Sequence, residues 1–328
     1  MRLLLIRHGE TVDNVAAIYA GVRDSALTTH GVLQTQRLAS YLASAGVKIT
    51  HIYSSDLQRA FKTAEAVRIA QSPAPAETVK LEMLREQDFG WWEGKFIAKG
   101  GRDAQREKYG KDEGFADLES KASMKARMAV FIDSHLVDHM HNRGEKDTVA
   151  VVAHGIILSF LWRGILRRFD ARDVSLDSGA IDVGHRGLEY LGGWSNTGYL
   201  DLEIKSKPSL EVASVLEPNA AQSDVISVSG PKSVQDDCFE SLTEPINPPM
   251  LADLDSVVPP LGTAISPIPQ NTSAPASIKL LSLLLVVKDV NCQEHLRGLK
   301  KTRGGIGSSK HDDKQQTVDS FFKKRKAE

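Results

Sequence analysis

The sequence predicts an α/β fold with parallel strands, and three observations carry that prediction. Two short segments, Leu3-Leu4-Leu5-Ile6 and Thr148-Val149-Ala150-Val151-Val152-Ala153, are apolar at nearly every position, as strands buried on both faces of a parallel sheet must be. Amphipathic stretches of helical period alternate with such runs. The alternation continues to about Ser206 and then stops, since eleven of the 13 prolines fall between Pro208 and Pro275.

Taken in order, Leu3–Ile6 is the first strand. Leu27–Ala45 reads as a helix, with Thr28 and Thr29 as cap candidates and Leu33, Leu38, Tyr41 and Leu42 at helical spacing. Val47–Tyr53 is a second strand and Leu57–Ala70 a second helix. Met124–His139 is a long helix, and Thr148–Ala153 is the third strand. A helix from Ile156 to about Arg168 and a last strand over Gly198–Ile204 complete a body of residues 1–206. Residues 207–277, rich in Pro, Ser, Thr and Asp, read as a disordered linker with little means to bury a core. Residues 278–299 hold enough apolar residues for a strand and a short helix, and the sequence leaves open whether they dock on the body. Residues 300–328 are a polar, basic tail.

Charge follows the same division. Residues 1–206 hold 27 Lys and Arg against 27 Asp and Glu, residues 207–277 hold 2 against 9, and residues 278–328 hold 12 against 6. A neutral body says nothing in bulk about a polyanionic partner, and the basic surplus lies in the tail. Cys238 and Cys292 both lie outside the body, which argues against a disulfide framework or a cysteine metal site and for a reducing compartment. The longest strongly apolar run, Leu280–Val287, is too short to span a bilayer, and no signal-peptide pattern opens the chain. The expectation is a soluble, intracellular protein.

The chemistry is carried by a repeated form. Arg7-His8-Gly9 follows the first apolar strand and His154-Gly155 follows the third, so each histidine stands at a C-terminal strand end, where ligands bind in open α/β sheets. Strands lying in one parallel sheet bring His8 and His154 to the same edge. The helix after Gly155 then aims its N-terminal amides at that edge, which favours an anion. Arg7 adjoins His8, and Arg59 opens the helix after the second strand. Guanidinium forks suit a phosphoryl group, and two cations beside an imidazole keep it neutral and nucleophilic.

These residues belong to a longer ordered series. Arg7-His8-Gly9-Glu10-Thr11 with Asn14, Asp24-Ser25-Ala26-Leu27-Thr28 with Gly31 and Gln34, Ser54-Ser55-Asp56-Leu57-Gln58-Arg59-Ala60 with Thr63 and Ala64, Leu84-Arg85-Glu86 through Trp91-Trp92-Glu93-Gly94, and Val152-Ala153-His154-Gly155 succeed one another, with Asn196-Thr197 before the last strand. The series resembles the histidine phosphatase superfamily, the phosphoglycerate-mutase-like proteins, over about residues 1–206. The resemblance implies a three-layer α/β/α fold with a mostly parallel sheet. It also implies roles: His8 attacks phosphorus, Arg7, Arg59 and His154 hold the phosphoryl oxygens, Asn14 lines the pocket, and Glu86 protonates the leaving oxygen and then activates water. A substrate dianion nearby would favour the protonated carboxyl which that step needs. Asp88 and Glu93 rank below Glu86 as acids, and the bland alternative for Glu86 is a surface salt bridge with Arg85.

The acid block resembles the phosphatase branch, and Lys95–Lys121 is a short charged stretch expected to form a lid. Hydrolysis of a small phosphorylated substrate is therefore expected, by a metal-independent hydrolase that uses no cofactor. A phosphoglycerate mutase is the first alternative and a non-catalytic binding scaffold the second. His135, His139 and His141 sit near a helix end with no completing ligand in sequence, so a solvated helix end is expected there rather than a metal site.

In the tail, Gln315, Val318, Phe321 and Phe322 occupy the first, fourth, seventh and eighth positions of one window. This spacing resembles the PIP box, the peptide by which replication and repair proteins bind the sliding clamp PCNA. A single 3₁₀ turn would put the three apolar side chains on one side as a plug. Lys323-Lys324-Arg325-Lys326 reads as a nuclear localisation signal, giving an expected nuclear and cytoplasmic distribution. The Pro-rich linker is expected to keep this tail independent of the body.

Overall fold

A computed structural model describes residues 1–96, 106, 110–111, 114–141, 147–177, 188–207, 278–300 and 306–312. Among the described residues seven strands form one sheet: β1 (Arg2–Arg7), β2 (His51–Ser54), β3 (Thr78–Lys80), β4 (Thr148–Ala153), β5 (Val174–Leu176), β6 (Tyr199–Ser206) and β7 (Leu283–Cys292), in the order β3-β2-β4-β1-β6-β7-β5. β1 to β4 run parallel, while β6 is antiparallel to both of its neighbours, β1 and β7. The sheet is therefore mixed and mostly parallel.

Alternation along the strands explains the layers. Leu4, Ile6, Ala150 and Val152 pack with Leu38, Leu42, Ala60, Ala64 and Val67 on one face, under α2 (Thr29–Ser44) and α3 (Gln58–Ile69). Leu3, Leu5, Val149, Val151 and Ala153 pack on the other, with Met124, Met128, Phe131, Ile157 and Leu161. Those partners come from α4 (Lys121–Phe131) and α6 (Gly155–Leu166). Successive strand residues point to opposite faces, so a strand apolar throughout needs helices on both sides. α1 (Val12–Ala16) is a short helix after β1. Beyond α4 the chain makes a π-helical turn, Ile132–Leu136, and ends as α5 (Val137–His141).

Two differences from the sequence reading have physical causes, and one question it left open is answered. β3 and β5 are three residues long, too short to show a period. The second strand covers only His51–Ser54, because the preceding residues run into it as a loop whose Val47 and Ile49 are buried without pairing in the ladder. Residues 278–299 add a strand: β7 pairs with β6 from Ser206↔Leu283 to Tyr199↔Cys292 and buries Leu283, Leu285, Val287 and Cys292. Cys292 is thus a core residue. The described residues up to Lys207 and those from Ile278 onward form one compact unit. No helix among the described residues is long and apolar enough to cross a membrane.

Candidate active site

β1 and β4 are adjacent, with Arg7 opposite Ala153, so His8 and His154 follow at matching positions on one sheet edge. Their ring centroids are 5.0 Å apart, and both side chains are buried. Arg59, on the first turn of α3 and only 1% exposed, reaches the same point.

Hydrogen bonds assign the tautomers. Arg59 Nε donates to His154 Nδ1 at 3.1 Å, so neutral His154 carries its hydrogen on Nε2. That Nε2 is buried without a partner among the described residues, a donor held ready for an acceptor. His8 Nδ1 lies 2.7 Å from the carbonyl oxygen of Gly9, where only the N–H form can bond. His8 Nε2 is therefore the nitrogen with the lone pair. Burial pushes both imidazoles well below their ordinary range, and Arg59 adds to the effect in each, with Arg7 behind it. Folding thus favours the neutral rings. That contribution to stability is complete above the unfolded value near 6.5 and is lost as pH falls towards the lower folded values.

The arginines are held by backbone. Arg59 donates to the carbonyl oxygens of Arg23 (2.6 Å) and Gly21 (2.7 Å), and its pKa falls to about 10 through burial, leaving it charged at neutral pH. Arg7 donates through Nη1 to the carbonyl of Trp194, while its Nε is buried with no partner among the described residues.

Glu86 approaches from the block after β3. Its carboxylate oxygens accept the amides of Ile156 (3.1 Å) and Ile157 (3.0 Å), so the helix end expected to receive a ligand anion is capped by this side chain. His154 is the N-cap residue of α6 and makes no side-chain cap of its own. Arg127 holds the acid block from beneath, bonding the carbonyls of Met83, Arg85 and Glu86. The expected alternatives separate clearly. Arg85 pairs with Asp56 (Nε–Oδ1 2.9 Å), leaving Glu86 to the helix. Glu93 accepts the amides of Val22 and Phe89 and braces a loop, and Asp88 accepts that of Gly90.

Asn14 stands at the third position of α1 in a capping box with Thr11, and its Oδ1 also accepts from Asn196 Nδ2 at 3.2 Å. Its amide nitrogen remains as a donor. Arg7, His8, Arg59, His154 and Glu86 thus converge, with Asn14 joined to them through Asn196. Gln315, Val318, Phe321 and Phe322 lie outside the described residues, as does much of the expected lid. His139, set aside in the sequence, bonds Tyr53 Oη and clusters with His51 and Asp147, their ligand-type atoms within 4.8 Å of one another. His51 opens β2 and Asp147 precedes β4, so this cluster lies at the edge opposite His8. Sequence reasoning missed the carbonyls of Gly21, Arg23 and Trp194, because a backbone acceptor has no residue signature.

The profile of the histidine phosphatase superfamily (branch 1) matches residues 3–180. The chain belongs to that superfamily. A probable phosphatase of Schizosaccharomyces pombe is 37% identical over 168 residues, covering 50% of this chain and 56% of that one. A probable phosphoglycerate mutase of Proteus mirabilis is 37% identical over 173 residues, covering 51% of this chain and 75% of that one. Among solved structures, a mycobacterial glucosyl-3-phosphoglycerate phosphatase is 26% identical, with a TM-score of 0.44 over 62% of this chain and 92% of its own. The chain therefore spans little more than half the length of the first of these relatives.

Proposed function

We propose that this histidine phosphatase superfamily member hydrolyses small phosphomonoesters through a phosphohistidine on His8, without a metal or cofactor. The observation that carries this reading is the pair of opposed tautomers beside buried Arg59 and half-buried Arg7: a lone pair on His8 Nε2, and an N–H on His154 Nε2 with no partner among the described residues. In the first step His8 Nε2 bonds phosphorus, the ester P–O bond breaks, and Glu86 gives its proton to the leaving oxygen. Arg7, Arg59 and His154 receive the phosphoryl oxygens, and Asn14 lines the pocket. Water then attacks phosphorus, Glu86 takes its proton, and the P–N bond breaks to release phosphate.

A phosphate-release screen over sugar, nucleotide and peptide phosphoesters tests the reading, run in chelator so that metal independence is tested together with it. Activity lost in chelator and restored by a divalent ion would overturn the metal-free part. Glu86→Gln should lower kcat roughly a hundredfold on alkyl phosphates and less on nitrophenyl phosphate, whose leaving group needs little protonation. An equal loss on both would leave Glu86 as a group that only orients substrate. Similarity to a phosphoglycerate mutase supports a second reading, isomerisation of a monophosphorylated glycerate, which is separated by following isomer against free phosphate.

We further propose that Gln315, Val318, Phe321 and Phe322 dock on a sliding clamp of the PCNA type and that the adjoining basic cluster directs the chain to the nucleus. The segment before the motif is not tethered through the Pro-rich linker alone: Thr29 N donates to Ser309 O (3.0 Å), His311 N donates to Leu27 O (3.1 Å), and Lys310 bridges Thr28. The motif thus starts three residues beyond Asp312, the last residue described on the catalytic unit. Calorimetry with a His311–Glu328 peptide should give micromolar binding, abolished by Phe321→Ala with Phe322→Ala and little changed by Gln316→Ala. Equal binding without the phenylalanines would make the spacing a coincidence.

A further inference from the structure

The catalytic edge is closed by a loop, Trp194–Gly198, that touches the Arg7-His8 segment repeatedly. Thr197 N donates to the carbonyls of both Arg7 (3.0 Å) and His8 (3.2 Å), and Asn196 Nδ2 donates to that of His8 (3.1 Å). Arg7 N donates to Gly198 O at 3.1 Å, and the Arg7 guanidinium donates to Trp194 O. These bonds require an uncommon backbone, because Thr197 has φ of 58°. A β-branched residue in the left-handed region is strained and persists only where its surroundings impose it.

The imposing groups come from beyond the matched family region. Asn291, near the end of β7, accepts Ser195 N through Oδ1 (2.9 Å) and donates through Nδ2 to Ser195 Oγ (3.1 Å). Its Oδ1 would sit 2.2 Å from a Cβ placed on Gly198, so the loop passes hard against this amide. His295, buried between the rings of Tyr41 and Tyr199, meets Thr197 Oγ1 through Nε2 at 2.9 Å. Thr197 Oγ1 spends its hydrogen on Asn196 O (2.7 Å), so His295 Nε2–H is the donor. Burial lowers the His295 pKa to about 4, keeping the ring neutral at pH 7.

We infer that Asn291 and His295 are positioning residues for His8 and Arg7, which they hold through the strained Trp194–Gly198 loop. The inference rests on the hydrolase reading for its consequence and on the contacts above for its mechanism. The C-terminal segment is then part of the catalytic apparatus as well as of the sheet. Displacing a nucleophile by about an ångström costs up to roughly a hundredfold in rate, which sets the expected scale.

The test uses the full chain with nitrophenyl phosphate as substrate and inorganic phosphate as a titrant that needs no turnover. Asn291 itself has φ of 50°, so Asn291→Gly keeps the backbone and removes only the two side-chain bonds. It should lower kcat about tenfold or more and weaken phosphate binding about threefold or more, both per folded molecule. Asn291→Asp retains the acceptor for Ser195 N and should recover most of the loss. His295→Phe keeps the ring packing but removes the donor, and should cost about as much as Asn291→Gly. Thr197→Gly relieves the strain, so His295→Phe should lose much of its effect in that background. Wild-type kcat and phosphate affinity per folded molecule in both Asn291→Gly and His295→Phe would overturn the inference, whatever happens to their melting temperatures. A wild-type chain that releases no phosphate from any ester would instead sink the hydrolase reading, and the phosphate titrations would still decide the positioning.

Discussion

Replacing His8 with asparagine should reduce kcat by roughly 10⁴-fold or more, with the folded state retained. Asparagine can still donate to the Gly9 carbonyl, as His8 Nδ1 does, but offers no lone pair at the Nε2 position. The size of the loss follows from removing the atom proposed to bond phosphorus, since a nucleophile and the groups acting with it fail as one unit. On this reading His154→Asn should cost less, because Asn keeps an acceptor for Arg59 Nε and loses only the Nε2–H donor, leaving Arg7 and Arg59 to receive the phosphoryl charge. Rapid quench of wild type with a labelled phosphoester should trap an acid-labile, base-stable adduct on the peptide containing His8. A label found elsewhere, or unchanged turnover in His8→Asn, would refute the assignment of the nucleophile.

Ending the chain at Ser206 should abolish folding, although the chemistry-bearing motifs all precede that point. The deletion removes β7 and with it the buried Leu283, Leu285, Val287, Val290 and Cys292. At roughly 2 kcal/mol for each buried apolar side chain the loss is on the order of 10 kcal/mol. That is comparable to the roughly 5–15 kcal/mol stability of a typical domain. β6 would also lose one of its two neighbours along most of its length and become an edge strand, and β5, which pairs with β7, would lose its place in the sheet. Circular dichroism should show loss of the cooperative melt. Deleting 209–273 and joining the ends with a short Gly-Ser linker should keep it, because Lys207 N already donates to Ser282 O across a hairpin-like junction. A stably folded chain ending at Ser206 would show that β7 only decorates the sheet.

Much of this protein was legible before folding was considered. The doubly apolar runs ending in Arg7-His8-Gly9 and His154-Gly155 determined a parallel sheet and a two-histidine edge, because a strand with no polar face must be covered on both sides. The cap at Thr28 and the helices over Thr29–Ser44 and Gln58–Ile69 were local matters of hydrogen bonding and period, so sequence sufficed there too. Tertiary structure decided what depends on distance in space. Nothing in the sequence says that Glu86 closes the α6 amides while Glu93 braces Val22, since both are carboxylates in one block and differ only in which backbone they meet. Nor could the sequence tell that Asn291 and His295 reach the catalytic loop from nearly a hundred residues away. Their contacts rest on the antiparallel register of β6 and β7, which long-range packing sets and short-range pattern does not.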